Sequence, residues 1–287
     1  PPIDGRQLDH HALFDRIMQV VQSGEFKVEI PIIGRPAKQS QTGGESLGIT
    51  ELLAAGESLF IDSAGYRIHN IGNGSGLLHG AVVMPGEIFS FNEYVGAITP
   101  ERGFIDGLVI IEDSTEDAIG GGICQVSTTM FRAAFWAGLP ILERHKHLYR
   151  VPYYEQGGNL IGFDASIWQP SLDLRFMNDT EGPIMVRTLF DRRRQRLRFE
   201  LWGTPTGRSV EISDHQLRDW EDPPPDEWEI TSDEGTDFKE QTEWAVEGVY
   251  AVLRRRVMVG DRIHLEDAFY SSFKPWPNRY TVSPDVA

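Results

Sequence analysis

The sequence is short of cysteine and of positive charge, and it contains no long hydrophobic run. A single cysteine, Cys124, among 287 residues excludes an internal disulfide and any thiolate cluster for zinc. Lys and Arg number 27 against 43 Asp and Glu, a formal net charge of -16. That balance argues against nucleic acid as a partner, because a phosphate backbone is met by basic patches. No stretch approaches the roughly 18 consecutive apolar residues of a membrane span. An initiator Met is also missing. The chain opens Pro1-Pro2-Ile3-Asp4-Gly5, as expected of a piece of a longer protein whose export signal or membrane anchor lies outside it.

What is present is ordinary for a soluble globular protein: 40% hydrophobic and 24% charged residues, in a chain long enough for more than one domain. Charge is uneven. Arg192, Arg193, Arg194, Arg196 and Arg198 form one basic stretch, and Asp214 to Glu247 is strongly acidic; both read as solvated surface. Apolar spacing predicts a helix over Leu8–Val21, a strand over Lys27–Ile33, a loop from Arg35 to Glu45, and a short helix over Ile49–Ala55. Strands are expected at Glu57–Ile61, Ala81–Met84, Ile88–Phe91 and Val109–Glu112, with Asn92 as a helix cap and a Gly/Asn-rich loop over Asn70–Gly76. After a helix over Gln125–Ala137, stopped by Gly138, strands are expected at Pro140–Tyr154, Ile161–Trp168, Leu172–Met177, Ile184–Phe190 and Arg196–Trp202. Trp244–Val259 and Ile263–Tyr270 complete a small β module beyond the proline linker Pro223–Pro225. The fold class is therefore α+β: a mixed or antiparallel sheet with a cysteine-bearing helix packed on it, plus a small all-β C-terminal module. The expected divisions are residues 1–56, 57–204 and 205–287.

The chemistry centres on Gly120-Gly121-Gly122-Ile123-Cys124-Gln125-Val126-Ser127-Thr128-Thr129. A thiol at a helix N-terminus feels the partial positive charge of unpaired backbone N–H groups, which favours the thiolate. Glycines before it keep side chains away, so a substrate carbonyl can approach both the sulfur and the N–H donors, as in a cysteine nucleophile with an oxyanion hole. A buried structural cysteine is the rival reading. A thiol nucleophile needs a base, and Glu143-Arg144-His145-Lys146-His147 offers two. In an extended strand Glu143, His145 and His147 share a face, so one imidazole can act as base while a carboxylate orients it. Two histidines at i, i+2 also suit zinc, or a purely structural role. Asp164 is a candidate orienting acid, or a turn residue. His10, His11, His215 and His264 read as surface residues, and His69 and His79 as minor candidates.

These residues resemble the VanW domain family of bacterial cell-envelope proteins. The glycine–cysteine string, Glu143-Arg144-His145 and His147 carry the resemblance. Arg67 with Asn70-Ile71, Pro85-Gly86-Glu87, Phe89-Ser90-Phe91-Asn92, Gly162 with Asp164-Ala165, and Asp173-Leu174 with Phe176 and Asn178 extend it over roughly residues 58–190. Residues 5–56 are similar to the end of a peptidoglycan-binding domain that precedes VanW domains. The tail, through Tyr270–Pro277, resembles a degenerate copy of the small β modules named for five glycines.

The resemblance implies a peptidoglycan L,D-transpeptidase that forms 3-3 crosslinks. It implies Cys124 as nucleophile, His147 or His145 as base (His147 preferred) and Asp164 as orienting acid. Oxyanion or substrate contacts fall to Gly121, Gly122, Ile123, Gln125, Ser127 and Arg144. No metal and no cofactor are expected. The partners expected are a tetrapeptide donor stem and an amine acceptor, acting on a monomer outside the cytoplasm, at the cell wall or surface. The Ser/Thr-His-Gly string of the YkuD-type enzymes is absent. Leu148 departs from the family pattern, where a small polar residue follows the second histidine. The non-enzymatic alternative is a peptidoglycan-binding protein with a structural Cys124; a thiol hydrolase on wall peptides is a further one.

Overall fold

The computed structural model describes residues 5–8, 13, 16, 32–35, 47–111, 114–231 and 235–286. The chain forms two compact units, residues 1–47 and 48–287. In the first, β1 (Gly5–Leu8) pairs antiparallel with β2 (Ile32–Arg35). Leu13 and Arg16 are helical. The rest of the expected Leu8–Val21 helix, the Lys27–Pro31 part of the expected strand and the loop to Glu45 lie outside the described residues, apart from Leu8 and Arg35 in strands.

The second unit is built on a four-stranded antiparallel sheet in the order β3-β11-β10-β4. Its strands are β3 (Glu51–Leu59), β4 (Val82–Val83), β10 (Ile184–Asp191) and β11 (Arg196–Gly203). Alternation sets the buried face, as the two-residue period of a strand requires: Leu197, Phe199 and Leu201 are fully buried beside Ile184 and Val186. The expected helix over Ile49–Ala55 is instead the start of β3, which pairs along β11 from Glu51 to Leu59. Leu52-Leu53-Ala54-Ala55 is a short apolar run with no period of its own, so pairing with β11 decides its conformation.

The opposite error occurs at Asn70–Gly76. This stretch is a loop by composition, yet it lies inside α1 (Gly65–Leu77). Its glycines serve close approach: a Cβ on Gly74 would lie 2.4 Å from Ile123 Cδ1, and one on Gly72 would lie 3.1 Å from the Phe190 ring. Packing at that distance outweighs the roughly 1 kcal/mol that each glycine costs a helix. β5 (Ile88–Ser90) leads into the short α2 (Phe91–Val95). Ser90, rather than Asn92, caps it, accepting from Glu93 N at 3.2 Å. β6 (Asp106–Ile111) and β7 (Ser114–Ile119) form a hairpin ahead of the cysteine.

The central helix α3 (Ile123–Trp136) is buried at Ile123 and from Gln125 through Phe135, as expected of a helix enclosed on every side. It lies on β3, with Ser58 Oγ and Thr129 Oγ1 2.6 Å apart. Phe131 and Phe135 meet Phe163 edge-on at centroid separations of 5.5 and 4.7 Å. Both also reach Phe269, at 5.2 and 5.6 Å. Such pairs contribute about 0.5–1.5 kcal/mol each beyond their burial.

The strands expected over Pro140–Tyr154 and Ile161–Trp168 shrink to β8 (Ile141–Glu143), a 3-10 turn at Pro152–Gly158 and isolated bridges; Leu172–Met177 shrinks to β9 (Arg175–Met177). Side chains hold the backbone that a partner strand would hold. Thr128 Oγ1 bonds both Ala165 N and Ala165 O, at 3.0 and 3.2 Å. The fully buried Arg132 donates to Phe163 O, Glu57 O and Tyr154 O.

The remaining chain adds a sheet of long strands, β12 (Arg208–Glu221), β15 (Gly248–Val259) and β16 (Arg262–Phe273), paired antiparallel in the order β12-β15-β16. A second small sheet comprises β13 (Glu227–Ile230), β14 (Lys239–Glu243) and β17 (Arg279–Val282). There β17 pairs parallel to β13 and antiparallel to β14. Trp276 is buried against Tyr149 at 4.2 Å and donates to Glu243. Among the described residues no helix is long and apolar enough to cross a membrane.

Candidate active site

The glycine run bends the chain from β7 into α3. Gly120 and Gly122 have φ of +96° and +108°, a region that L side chains rarely adopt. A Cβ on Gly122 would stand 2.9 Å from Arg67 Cγ. The loop is pinned from α1 by Asn70, whose Nδ2 donates to Gly121 O and Ile105 O while its Oδ1 accepts from Ile105 N, all at 3.0 Å. Cys124 is thereby the second residue of α3, at the positive end of the helix dipole. Its Sγ lies 3.7 Å from Ile167 O and 3.9 Å from Ser166 Oγ.

His147 faces this thiol. Its Nδ1 is 2.5 Å from Asp164 Oδ2, and its backbone N donates to the same oxygen at 3.1 Å. Its Nε2 is buried and has no hydrogen-bond partner in the structure, and the ring is close enough to Cys124 for thiol and imidazole to shift each other's ionisation. Tyr154 covers the imidazole with ring centroids 4.6 Å apart. The relay runs Cys124, His147, Asp164: a thiol, an imidazole turned toward it, and a carboxylate that fixes the tautomer with Nδ1 protonated.

Electrostatics follow from burial and neighbours. Burial pushes the Cys124 thiol up, but the His147 imidazole and its charge, with Ile167 O and Ser166 Oγ, together bring the thiol below its ordinary value. Burial pushes His147 down, whereas Asp164 and then Cys124 carry it up to about 9. Burial also raises the Asp164 carboxyl, but the Arg144 guanidinium beside it and the imidazole hold it far below the usual carboxylate range. Burial and the neighbouring thiol drive the Tyr154 hydroxyl up, so it stays protonated.

The two histidines do not share a partner. His145 Nε2 is 2.9 Å from Glu143 Oε1, and Glu143 Oε1 also accepts from Asp173 N at 3.0 Å. His145 is thus paired with Glu143, as a shared strand face expects, whereas His147 takes its carboxylate from Asp164. The segment is not a continuous strand: β8 ends at Glu143.

Several residues expected to touch substrate are committed to the protein itself. Arg144 makes five hydrogen bonds: Nε to Asp164 O, Nη1 to Tyr270 O and Ser271 Oγ, and Nη2 to Gly162 O and Asp164 Oδ1. Those five bonds match the five donors of a guanidinium. Gln125 is fully buried, donating to Leu59 O and accepting from Arg67 Nη2 at 2.7 Å. Ser127 Oγ donates to Ala165 O at 2.6 Å. The Ile123 N–H is bonded to Gly120 O at 3.0 Å and its side chain is core. Sequence reasoning did not weigh Arg132, Tyr154, Ser166 and Ser271; Thr128, which it read as a helix cap or a substrate contact, is bonded to Ala165. Only Arg132 left a signal, a charged residue in the middle of an apolar helix.

Asp164→Asn is expected to cost about 2 kcal/mol, the range for a hydrogen bond to a charged group. A carboxyl held low in the folded state stabilises it above the ordinary value of 3.8, and that contribution drains as pH falls below it. Urea unfolding at pH 7 and pH 3 checks this: the variant trails the parent protein at pH 7, and the gap narrows at pH 3.

Residues 66–202 match the family described as VanW like protein. The chain is 37% identical over 138 residues to a protein of Bacillus subtilis (strain 168) named "Uncharacterized protein YoaR"; the match covers 48% of this chain and 44% of that one. It is 29% identical over 125 residues to the "Vancomycin B-type resistance protein VanW" of Enterococcus faecalis (strain ATCC 700802 / V583), covering 44% of this chain and 46% of that one. The chain therefore matches less than half the length of either relative. Cys124, His147 and Asp164 all fall inside the matched region.

Proposed function

We propose, from the premise that residues 66–202 are a VanW family domain, that this protein is a cysteine acyltransferase of the bacterial cell wall, an L,D-transpeptidase that forms 3-3 crosslinks in peptidoglycan. The single observation that carries this reading is the half-buried Cys124 at the N-terminus of a helix, beside the buried His147–Asp164 pair. A relative named for vancomycin resistance supports a cell-wall role, and the substrate in turn puts the site of action outside the cytoplasm.

In the proposed reaction the Cys124 thiolate attacks the carbonyl carbon at the L-centre of the diamino acid in a tetrapeptide stem. The carbonyl π electrons move to oxygen, where the backbone N–H groups of Gly121, Gly122 and Cys124 meet the charge, about 3 kcal/mol for a good donor. As the tetrahedral intermediate collapses, the C–N bond to the terminal D-Ala breaks. His147 gives its Nε2 proton to the leaving nitrogen and a thioester remains. A side-chain amine of a second stem then attacks the thioester carbonyl. His147 takes a proton from that nitrogen, the C–S bond breaks, and the amide crosslink and free thiolate result. Asp164 keeps Nδ1 protonated throughout.

Incubation with a carbapenem followed by intact-mass analysis tests the nucleophile. The expected result is a single covalent adduct, absent from Cys124→Ala, together with crosslinked dimers from disaccharide-tetrapeptides. No adduct and no dimer, with the variant indistinguishable from the parent protein, rejects the enzyme and leaves a wall-binding protein. Released D-Ala without dimers identifies a hydrolase.

A further inference from the structure

The region matched to the family ends at Trp202, but the groups that hold the relay in place do not. We infer that the β12-β15-β16 sheet is an integral part of the catalytic unit, with Arg144 and Ser271 as positioning residues that fix Asp164 beneath His147. This rests on the reading of Cys124, His147 and Asp164 given above.

Each of the three chain segments that supply the relay is tied to this sheet. The loop carrying Asp164 is held through Arg144, which bonds Asp164 O, Asp164 Oδ1 and Gly162 O on one side and Ser271 Oγ and Tyr270 O of β16 on the other. That loop also meets the sheet directly. His215 Nε2 of β12 lies 2.9 Å from Ile161 O, and a Cβ on Gly162 would fall 3.1 Å from Ala251 Cβ. The segment carrying His147 is fixed one residue later, where Lys274 N, just past β16, donates to Leu148 O at 2.9 Å. The helix carrying Cys124 is closed at its other end by Arg255 of β15. Its Nη1 donates to Phe135 O in the last turn at 2.8 Å, an acceptor shared with Gly138 N, and its Nη2 donates to Leu139 O just past the helix at 3.0 Å. Arg208 of β12 adds a bond to Gly138 O at 2.8 Å.

A guanidinium with planar, directional donors fixes an angle as well as a distance. Arg144 holds both the backbone carbonyl and a carboxylate oxygen of one residue, so it sets where the second oxygen, the one on His147, points. Asp164 is faced by Arg144 and Lys146 from the His147 segment and by Arg132 from α3. Lys146 also faces Lys274. Among these cations, Arg144 alone has a hydrogen bond to the carboxylate.

The test reads the thiol without any substrate. The rate of Cys124 alkylation by iodoacetamide is followed from pH 5 to 10 in the full chain, in Arg144→Gln and in Ser271→Ala, with thermal unfolding recorded for each. For the parent protein the inflection lies below that of an ordinary cysteine. For Arg144→Gln it moves up and the rate at pH 7 falls about tenfold; for Ser271→Ala the fall is two- to threefold, with cooperative unfolding retained. A residue that merely stabilised the fold would lower the melting temperature and leave the inflection in place. Should Arg144→Gln fail to fold, Ser271→Ala decides. An inflection in the folded variants that coincides with the parent's overturns the inference while leaving the enzyme reading intact. An ordinary inflection in the parent protein overturns the reading on which it rests.

Discussion

His147→Gln lowers the rate of Cys124 acylation by a carbapenem about 10²- to 10⁴-fold at neutral pH, the usual contribution of a positioned acid–base group. Two effects of the imidazole disappear together. The thiol loses the imidazole and its positive charge, the largest of the influences that oppose its burial, so its ionisation moves up and little thiolate remains at pH 7. The leaving nitrogen loses its proton donor. The pH profile separates this from a folding defect. In the parent protein acylation rises as the thiol ionises and falls as the imidazolium loses its proton near pH 9. In the variant the descending limb is gone and the ascending limb is displaced upward. Coincident profiles would remove His147 from the reaction. Because His145 pairs with Glu143, His145→Gln is expected to stay within a few-fold of the parent, which makes it the matched control.

The largest effect on stability is expected at Gly56→Ala. Gly56 has an ordinary strand conformation, so the change strains no dihedral angle. The obstacle is space: an added Cβ would lie 2.3 Å from both Ala133 N and Thr129 O, backbone atoms of α3. A flexible side chain could turn away, but two backbone atoms of a helix buried on every side cannot. The strand and helix must separate, parting Ser58 from Thr129 and Arg132 from Glu57 O. The expected loss is more than about 3 kcal/mol, beyond the usual range for overpacking. Chemical denaturation reads it, with Gly76→Ala, where a Cβ would meet nothing within 4 Å, as a near-neutral comparison. A Gly56→Ala protein within 1 kcal/mol of the parent would contradict the packing of α3 on β3.

These two residues also mark what the sequence discloses and what it does not. The thiol and the imidazole were legible, because a glycine run before a cysteine and a histidine pair on a charged segment are local patterns. The long hairpin strands around Ile184–Trp202 and Trp244–Tyr270 were legible for the same reason. Gly56 gave no signal, since the need for a missing side chain arises from a helix about 75 residues further on. Residues 70–76 misled outright: glycines read as a loop are there so that a helix can press against Ile123 and Phe190. The partners of Arg144 were not legible, because its five acceptors come from segments about 20 and 125 residues away.

The brace on the C-terminal end of α3 has a consequence in time. Arg255 reaches Phe135 O and Leu139 O across 120 and 116 residues of chain, and Ser271 and Lys274 close the remaining links from later still. Contacts so distant in sequence form late. A chain made or threaded from its N-terminus presents Cys124 well before the residues that complete its surroundings have arrived. Until residues 271 to 274 have emerged, the segments carrying His147 and Asp164 lack these links, and the surroundings of the thiol are unfinished.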